Sequence, residues 1–210
     1  MTDSGKVQLI WSPEFAYAIG LITTDGSLSK DGRHIVLTSK DREQLENFLK
    51  CLQVEKTIGK VKSGVGTTYL RVQLGDVRFY RFLLTIGLMQ NKTKILKEVQ
   101  IPKEYFFDFL RGHLDGDGTF YSYMDKRWKS SYMFYTVFIS ASREHILWLQ
   151  HEIYSFLGIQ GHITKAKKID WCYQLKYAKA DSMKLIPKIY YADDVICLSR
   201  KREKIKTALE

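Results

Sequence analysis

The stretch Ala18-Ile19-Gly20-Leu21-Ile22-Thr23-Thr24-Asp25-Gly26 decides how this chain reads, because it comes back. Its second copy is Leu110-Arg111-Gly112-His113-Leu114-Asp115-Gly116-Asp117-Gly118, with Asp117 92 residues after Asp25. Each reads as an apolar helix with one interior glycine, ending in an acid and a glycine that opens a strand. An interior glycine costs a helix about 1 kcal/mol against alanine, so it needs a reason. Close approach of two helix backbones is that reason, since a side chain at Gly20 or Gly112 would hold them apart. An aspartate at a helix C-terminus opposes the macrodipole, and stability alone would not select it twice. Two carboxylates brought close repel each other unless a cation intervenes, which makes the pair a candidate hard-cation site.

The surroundings of the two stretches also match. Ser12-Pro13 reads as an N-cap and first-turn proline for a helix over 13–24. Strands are expected at Ser27–Ser29 and Arg33–Ser39 around an Asp31-Gly32 turn. A helix opens at 40–43 with Leu45, Phe48, Leu49 and Leu52 on one face. A second hairpin, Thr57–Lys62 and Thr67–Leu74, follows around Ser63-Gly64-Val65-Gly66, and Asp76 caps a helix running to about Leu84. In Thr67–Leu74 the apolar Leu70, Val72 and Leu74 alternate with Tyr69, Arg71 and Gln73, as in a half-buried strand.

The same order recurs after Pro102. A helix over Glu104–Leu114 precedes strands near Thr119–Asp125 and Tyr132–Ser140, then a helix opened by Ser142 with Ile146, Leu149, Ile153 and Leu157. Strands near Gly161–Lys167 and Trp171–Tyr177, a helix over Ala180–Ile189 and a last helix near residue 200 complete it. Val72 corresponds to Leu175, so the second copy has the longer loops. This is an internal duplication. The expected division is residues 1–97, a linker at 98–103, and residues 104–210, an α+β protein of two pseudo-twofold related αββαββα units.

Composition agrees with a globular protein and hints at a partner. The 210 residues are 45% hydrophobic and 27% charged, ordinary values for a soluble domain. No apolar run reaches the length of a membrane span, and the N-terminus has no signal-peptide core; the expected location is intracellular, in cytoplasm or an organelle matrix. Cys51, Cys172 and Cys197 show no metal-ligand spacing and read as small buried apolar residues in a reducing compartment. The net charge is +10, divided equally between residues 1–100 and 101–210. Such an excess favours a polyanion, bound with salt-dependent affinity through counterion release.

The paired stretches and their duplicated setting resemble the LAGLIDADG homing endonucleases, in the single-chain form carrying both motifs. The resemblance implies a saddle-shaped antiparallel sheet surface with helices on the opposite face. It implies that Asp25 and Asp117, with the carbonyls of Thr24 and Gly116, hold Mg²⁺ or another divalent cation and act catalytically. Thr23 and Asp115 take the motif's mainly structural position. The family also uses peripheral lysines: Lys40 ends the second strand of the first copy, whereas Ala141 stands at the matching place. Lys92 and Lys201 form a more symmetrical pair of candidates near the phosphates.

The partner so implied is double-stranded DNA, cut by a monomer with internal pseudo-twofold symmetry at a long, imperfectly palindromic site. Base readers are expected on the polar strand faces, in the groove that distinguishes all four base pairs. In the first copy they are Ser27, Ser29, His34, Lys60, Lys62, Tyr69, Arg71 and Gln73. In the second they are Tyr121, Tyr123, Lys126, Lys165, Lys167, Gln174 and Lys176. Arg71 suits guanine, and Gln73 or Gln174 suits adenine. The phase of Tyr132–Ser140 stays open, because Phe134, Tyr135 and Phe138 all suit a core. Two other functions fit the resemblance: an intron RNA maturase assisting group I splicing, and a non-cleaving DNA-binding regulator of the same fold. Retention of both Asp25 and Asp117 counts against the regulator. No aromatic-rich stacking signature of RNA-binding sheets is evident in the sequence.

Overall fold

The computed structural model describes residues 6–62, 64, 66–125, 132–166 and 169–209, with backbone alone at 166 and 169–171. The first helix, α1 (Pro13–Asp25), begins as its sequence dictates: the Ser12 hydroxyl accepts from the Phe15 N–H at 3.1 Å, with Pro13 in the first turn. From Phe15 to Thr23 every α1 residue is buried, the condition of a helix apolar on all sides. Its main partner is α4 (Phe106–Asp115).

The two interior glycines are required by that packing. A Cβ at Gly20 would lie 2.3 Å from the Phe109 carbonyl oxygen, and one at Gly112 would lie 2.1 Å from the Tyr17 carbonyl oxygen. The interface also buries charge. Arg111 is 2% exposed, pairs with Asp108 at 2.8 Å and sits 5.5 Å over the Tyr17 ring. The Tyr17 hydroxyl donates to Asp115 Oδ2 at 2.8 Å. Helix α1 ends at Gly26, whose backbone is extended rather than left-handed. Glycine is needed there for space: a Cβ would meet the Ile22 backbone at 2.6 Å.

Strands β1 (Gly26–Leu28), β2 (His34–Ser39), β3 (Gly59–Lys62) and β4 (Thr68–Gly75) form an antiparallel sheet in the order β1-β2-β4-β3. Leu28, Ile35, Leu37, Val72 and Leu74 supply its buried face, covered by α1 and by α2 (Arg42–Cys51). Helix α3 (Val77–Thr85) opens on Asp76, whose carboxylate accepts from the Phe79 N–H as expected. Strand β3 starts two residues later than the sequence suggested, and residues 63 and 65 of the expected turn lie outside the described residues.

The second sheet repeats the first: β5 (Thr119–Met124), β6 (Tyr132–Ser140), β7 (His162–Ala166) and β8 (Ile169–Tyr177) run antiparallel in the order β5-β6-β8-β7. Val72 is paired with Leu37, and Leu175 with Phe138, so the corresponding residues occupy the same place in each sheet. Helices α5 (Arg143–Leu157) and α6 (Lys179–Ile189) pack on β6 and β8, and α7 (Ser199–Leu209) packs on β5. The architecture is mixed α+β with two four-stranded antiparallel sheets.

Two compact units result, and they do not follow the repeat residue for residue. One comprises residues 1–92 and 99–116, the other 93–98 and 117–210. Helix α4 therefore packs within the first unit although the repeat assigns it to the second copy. Residues 93–98 pack in the second unit, where the Leu96 carbonyl accepts from the Ser142 hydroxyl at 2.5 Å. Among the described residues no helix is long and apolar enough to cross a membrane.

Candidate metal and nucleic-acid site

Asp25 ends α1, half-buried, with one carboxylate oxygen already held. Gln44, in the first turn of α2 and 3% exposed, donates from Nε2 to Asp25 Oδ2 at 2.6 Å. The other end of that amide is fixed too: Gln44 Oε1 accepts from the Ser39 hydroxyl at 2.6 Å, and Ser39 Oγ accepts from the Asp41 N–H at 3.0 Å. An acid, an amide, a hydroxyl and a backbone N–H thus form one chain across the junction of β2 and α2. Gly116 lies against the same acid: a Cβ there would be 3.1 Å from Asp25 Oδ2 and 1.9 Å from Thr24 Oγ1. Asp117, exposed, is the next residue in the chain.

Lys92 and Lys201 play matching parts in their own units. Lys92 is 6% exposed and donates to the Gly26 carbonyl at 2.5 Å, with the Thr24 carbonyl farther away at 3.4 Å. Lys201 donates to the Gly118 carbonyl at 2.7 Å. Each ammonium therefore binds the backbone one residue beyond a motif acid. Lys40 differs. It is exposed and lies 5.4 Å over the Tyr69 ring, beside the outer sheet face. Thr23 and Asp115 are interior, the Thr23 hydroxyl donating to the Ile19 carbonyl at 2.8 Å.

The residues around Asp25 suit a hard cation. Among the described residues no group of three or more His, Cys, Asp or Glu side chains gathers to make a protein cage. Carboxylates, carbonyls and room for water are what Mg²⁺ takes, since it keeps several waters and is bound through one or two carboxylates. Burial raises the Cys51 thiol to about 12, and burial with the nearby Asp117 charge raises Cys172 in the same direction.

Strand register sorts the expected base readers. Ser27 pairs with Val36, Val36 with Gln73, Thr38 with Arg71, and His34 with Gly75, so Ser27, His34, Arg71, Gln73 and also Tyr69 share the outer face of the first sheet. Ser29 continues that face beyond β1, and its carbonyl accepts from the Tyr80 hydroxyl at 2.7 Å. Lys60 pairs with Leu70 and Lys62 with Thr68, which puts both on the opposite face. Edge strand β3 has no buried anchor to reveal its phase. Three readers are already tied down: Arg71 donates to Gln73 Oε1, and the His34 ring is bonded to Asp31. The His34 ring and the turn's N–H groups hold the Asp31 carboxyl down at about 2.

In the second sheet Tyr121, Tyr123, Gln174 and Lys176 share the outer face, whereas Lys165 pairs with Tyr173 on the inner one. Lys126 and Lys167 lie outside the described residues. Register also settles β6. Phe134 and Phe138 point into the core, and Tyr135, opposite Tyr121, points out. Its ring lies near-parallel to those of Tyr121, 5.2 Å away, and Tyr123, 6.3 Å away. Sequence reasoning missed Tyr135 and Gln44. For Gln44 the signal was faint: a glutamine in the first turn after Ser39 and Asp41.

The similarity to known proteins follows the fold. Residues 12–87, which contain the first motif, match the family model of the LAGLIDADG-like domain. Among solved structures, the homing endonuclease I-WcaI bound to its DNA recognition sequence is similar over 93% of this chain and 88% of that one, at 15% identity and TM-score 0.61. The chain has the LAGLIDADG fold. I-SmaMI, solved with an uncleaved DNA target in the presence of calcium ions, is similar over 95% and 91%, at 17% identity and TM-score 0.58. Full-length DUF199/WhiA from Thermatoga maritima is similar over 98% of this chain at 17% identity and TM-score 0.54. The chain spans 63% of the length of that protein. No curated protein sequence matches the chain. The LAGLIDADG fold is thus common to homing endonucleases and WhiA, so side chains, not the fold, must carry an argument for cleavage.

Proposed function

We propose that this chain is a homing endonuclease: a monomeric, divalent-metal-dependent hydrolase that cuts both strands of DNA at a long, imperfectly palindromic site. The observation that carries this reading is the Asp25 carboxylate, pinned by the buried Gln44 at 2.6 Å at the end of a helix whose motif recurs at Asp117. Asp25 and Asp117, with the Thr24 and Gly116 carbonyls, are the groups that would hold the cation. When bound, Mg²⁺ would polarise the phosphate and lower the pKa of the attacking water. Gln44 fixes the orientation of the Asp25 carboxylate. Lys92 and Lys201 fix the backbone immediately after each acid and add positive charge where a phosphate would gain negative charge. The outer sheet faces, with Arg71 and Gln73 in one and Gln174 and Lys176 in the other, read base edges.

A second reading on the same fold is a DNA-binding protein that does not cleave. Intron RNA is the other polymer that the basic charge would serve. A random duplex pool with Mg²⁺ separates these readings. Recovery of cleaved products sharing one long site supports the endonuclease. Asp25→Asn or Asp117→Asn should then abolish double-strand cleavage and leave DNA binding within about threefold. Full cleavage by either single variant would overturn the shared-cation reading, and RNA binding without any cleavage would favour the maturase.

A further inference from the structure

The outer faces of the two sheets differ in chemistry. The first offers hydrogen-bonding groups: Arg71 braced by Gln73, and His34 braced by Asp31. On the second, Tyr121, Tyr123 and Tyr135 form one stacked row, flanked on the same face by Met133 and Ile139. None of these five side chains is buried, and Tyr123 is 44% exposed. They would be a liability facing water without a partner.

Ring geometry narrows what the partner offers. Tyr135 lies 19° and 5° from parallel with Tyr121 and Tyr123. The three rings hold one another in place and present one surface of apolar ring carbons and hydroxyls. In the major groove of duplex DNA the one apolar feature of a base edge is the thymine methyl group. Apolar ring carbons gain most by covering that methyl, and Lys176 on the same face, in a chain of net charge +10, suits the adjacent phosphates.

We propose that the second sheet takes an A·T-rich duplex half-site and recognises it through thymine methyls packed against the Tyr121–Tyr135–Tyr123 row. The first sheet, led by Arg71, takes the half-site that contains guanine. This rests on the DNA-binding part of the reading above and is independent of cleavage.

The test is a binding selection, with the full chain, from a random duplex pool in Ca²⁺. The recovered site should carry thymines in one half. Replacing each of these thymines by deoxyuridine removes only the methyl and should weaken binding about fourfold per buried methyl. Tyr135→Ala should bind the thymine and deoxyuridine sites alike, whereas Tyr135→Phe should still discriminate. Should Tyr135→Ala not fold, the exposed Tyr123→Ala decides in its place. Equal affinity of the wild type for both sites, or full methyl discrimination in both alanine variants, overturns the proposal. So does preferential binding of a single-stranded RNA pool over every duplex. Methyl discrimination without any cleavage in Mg²⁺ would sink the nuclease reading and uphold this one.

Discussion

Gln44 donates from Nε2 to Asp25 Oδ2 at 2.6 Å, while its own Oε1 is held by Ser39. The matching position in the second unit is His145, which follows Ser140 and Ser142 as Gln44 follows Ser39 and Asp41. His145 Nδ1 is bonded to the Lys97 carbonyl at 2.7 Å. Removal of a group that orients a metal-binding side chain typically costs 10–100-fold in activity or metal affinity. Gln44→Ala should lower cleavage by about that factor and leave DNA affinity within about twofold. Gln44→Glu removes the N–H donor and sets a second carboxylate against Asp25, and should also lower cleavage at saturating Mg²⁺. A Gln44→Ala enzyme with unchanged Mg²⁺ titration and rate would show that Asp25 needs no support.

Gly20 and Gly112 are each closed in by the facing helix backbone at 2.3 and 2.1 Å. Backbone cannot swing aside as a side chain can. Gly20→Ala or Gly112→Ala should destabilise the protein by at least ~2 kcal/mol, toward the upper end for overpacking. Gly64, with nothing within 4 Å of an added Cβ, is the control and should tolerate alanine. Urea denaturation of the three variants measures the difference.

Arg111 and Asp108 are 2% and 5% exposed at their side chains and paired at 2.8 Å. Arg111→Ala removes the guanidinium from a buried carboxylate and from the Tyr17 ring, a change expected to cost about 3–5 kcal/mol. Replacing both by leucine should cost much less, because no charge is then buried. Equal losses in the single and double variants, read from urea midpoints, would contradict the coupling.

Stability should also fall in alkali. Burial raises Cys51 from 9.0 to about 12 and pushes Tyr177 well above its usual 10.0. Below pH 9 both groups are neutral in either state and their burial costs nothing extra. As pH rises from 9 toward 12 the unfolded chain ionises first, so folding loses at most about 1.4 kcal/mol per pH unit for each group. Cys51→Ala should flatten the first part of that decline. A slope identical in wild type and variant would assign it elsewhere.

Local patterns made much of this protein legible in its sequence. Ser12 and Asp76 cap their helices through contacts three residues away, and Leu70, Val72 and Leu74 reveal the buried face of β4 by alternation alone. The paired acids and interior glycines could be read because the chain states them twice. What the sequence left open depended on partners distant along the chain. Strand β6 has aromatic residues at both phases, and only its pairing with β5 turns Tyr135 outward and Phe134 inward. The β3 lysines took the other face because an edge strand without buried residues has no phase to read. Helix α4 belongs to the second repeat by order, yet packs with α1, where Gly20 and Gly112 permit backbone contact. Gln44 reaches Asp25 across 19 residues only because β2 pairs back beside β1 and turns into α2. Sequence singled out Asp25; tertiary packing, which brings an amide to one of its two oxygens, decided how that carboxylate is held.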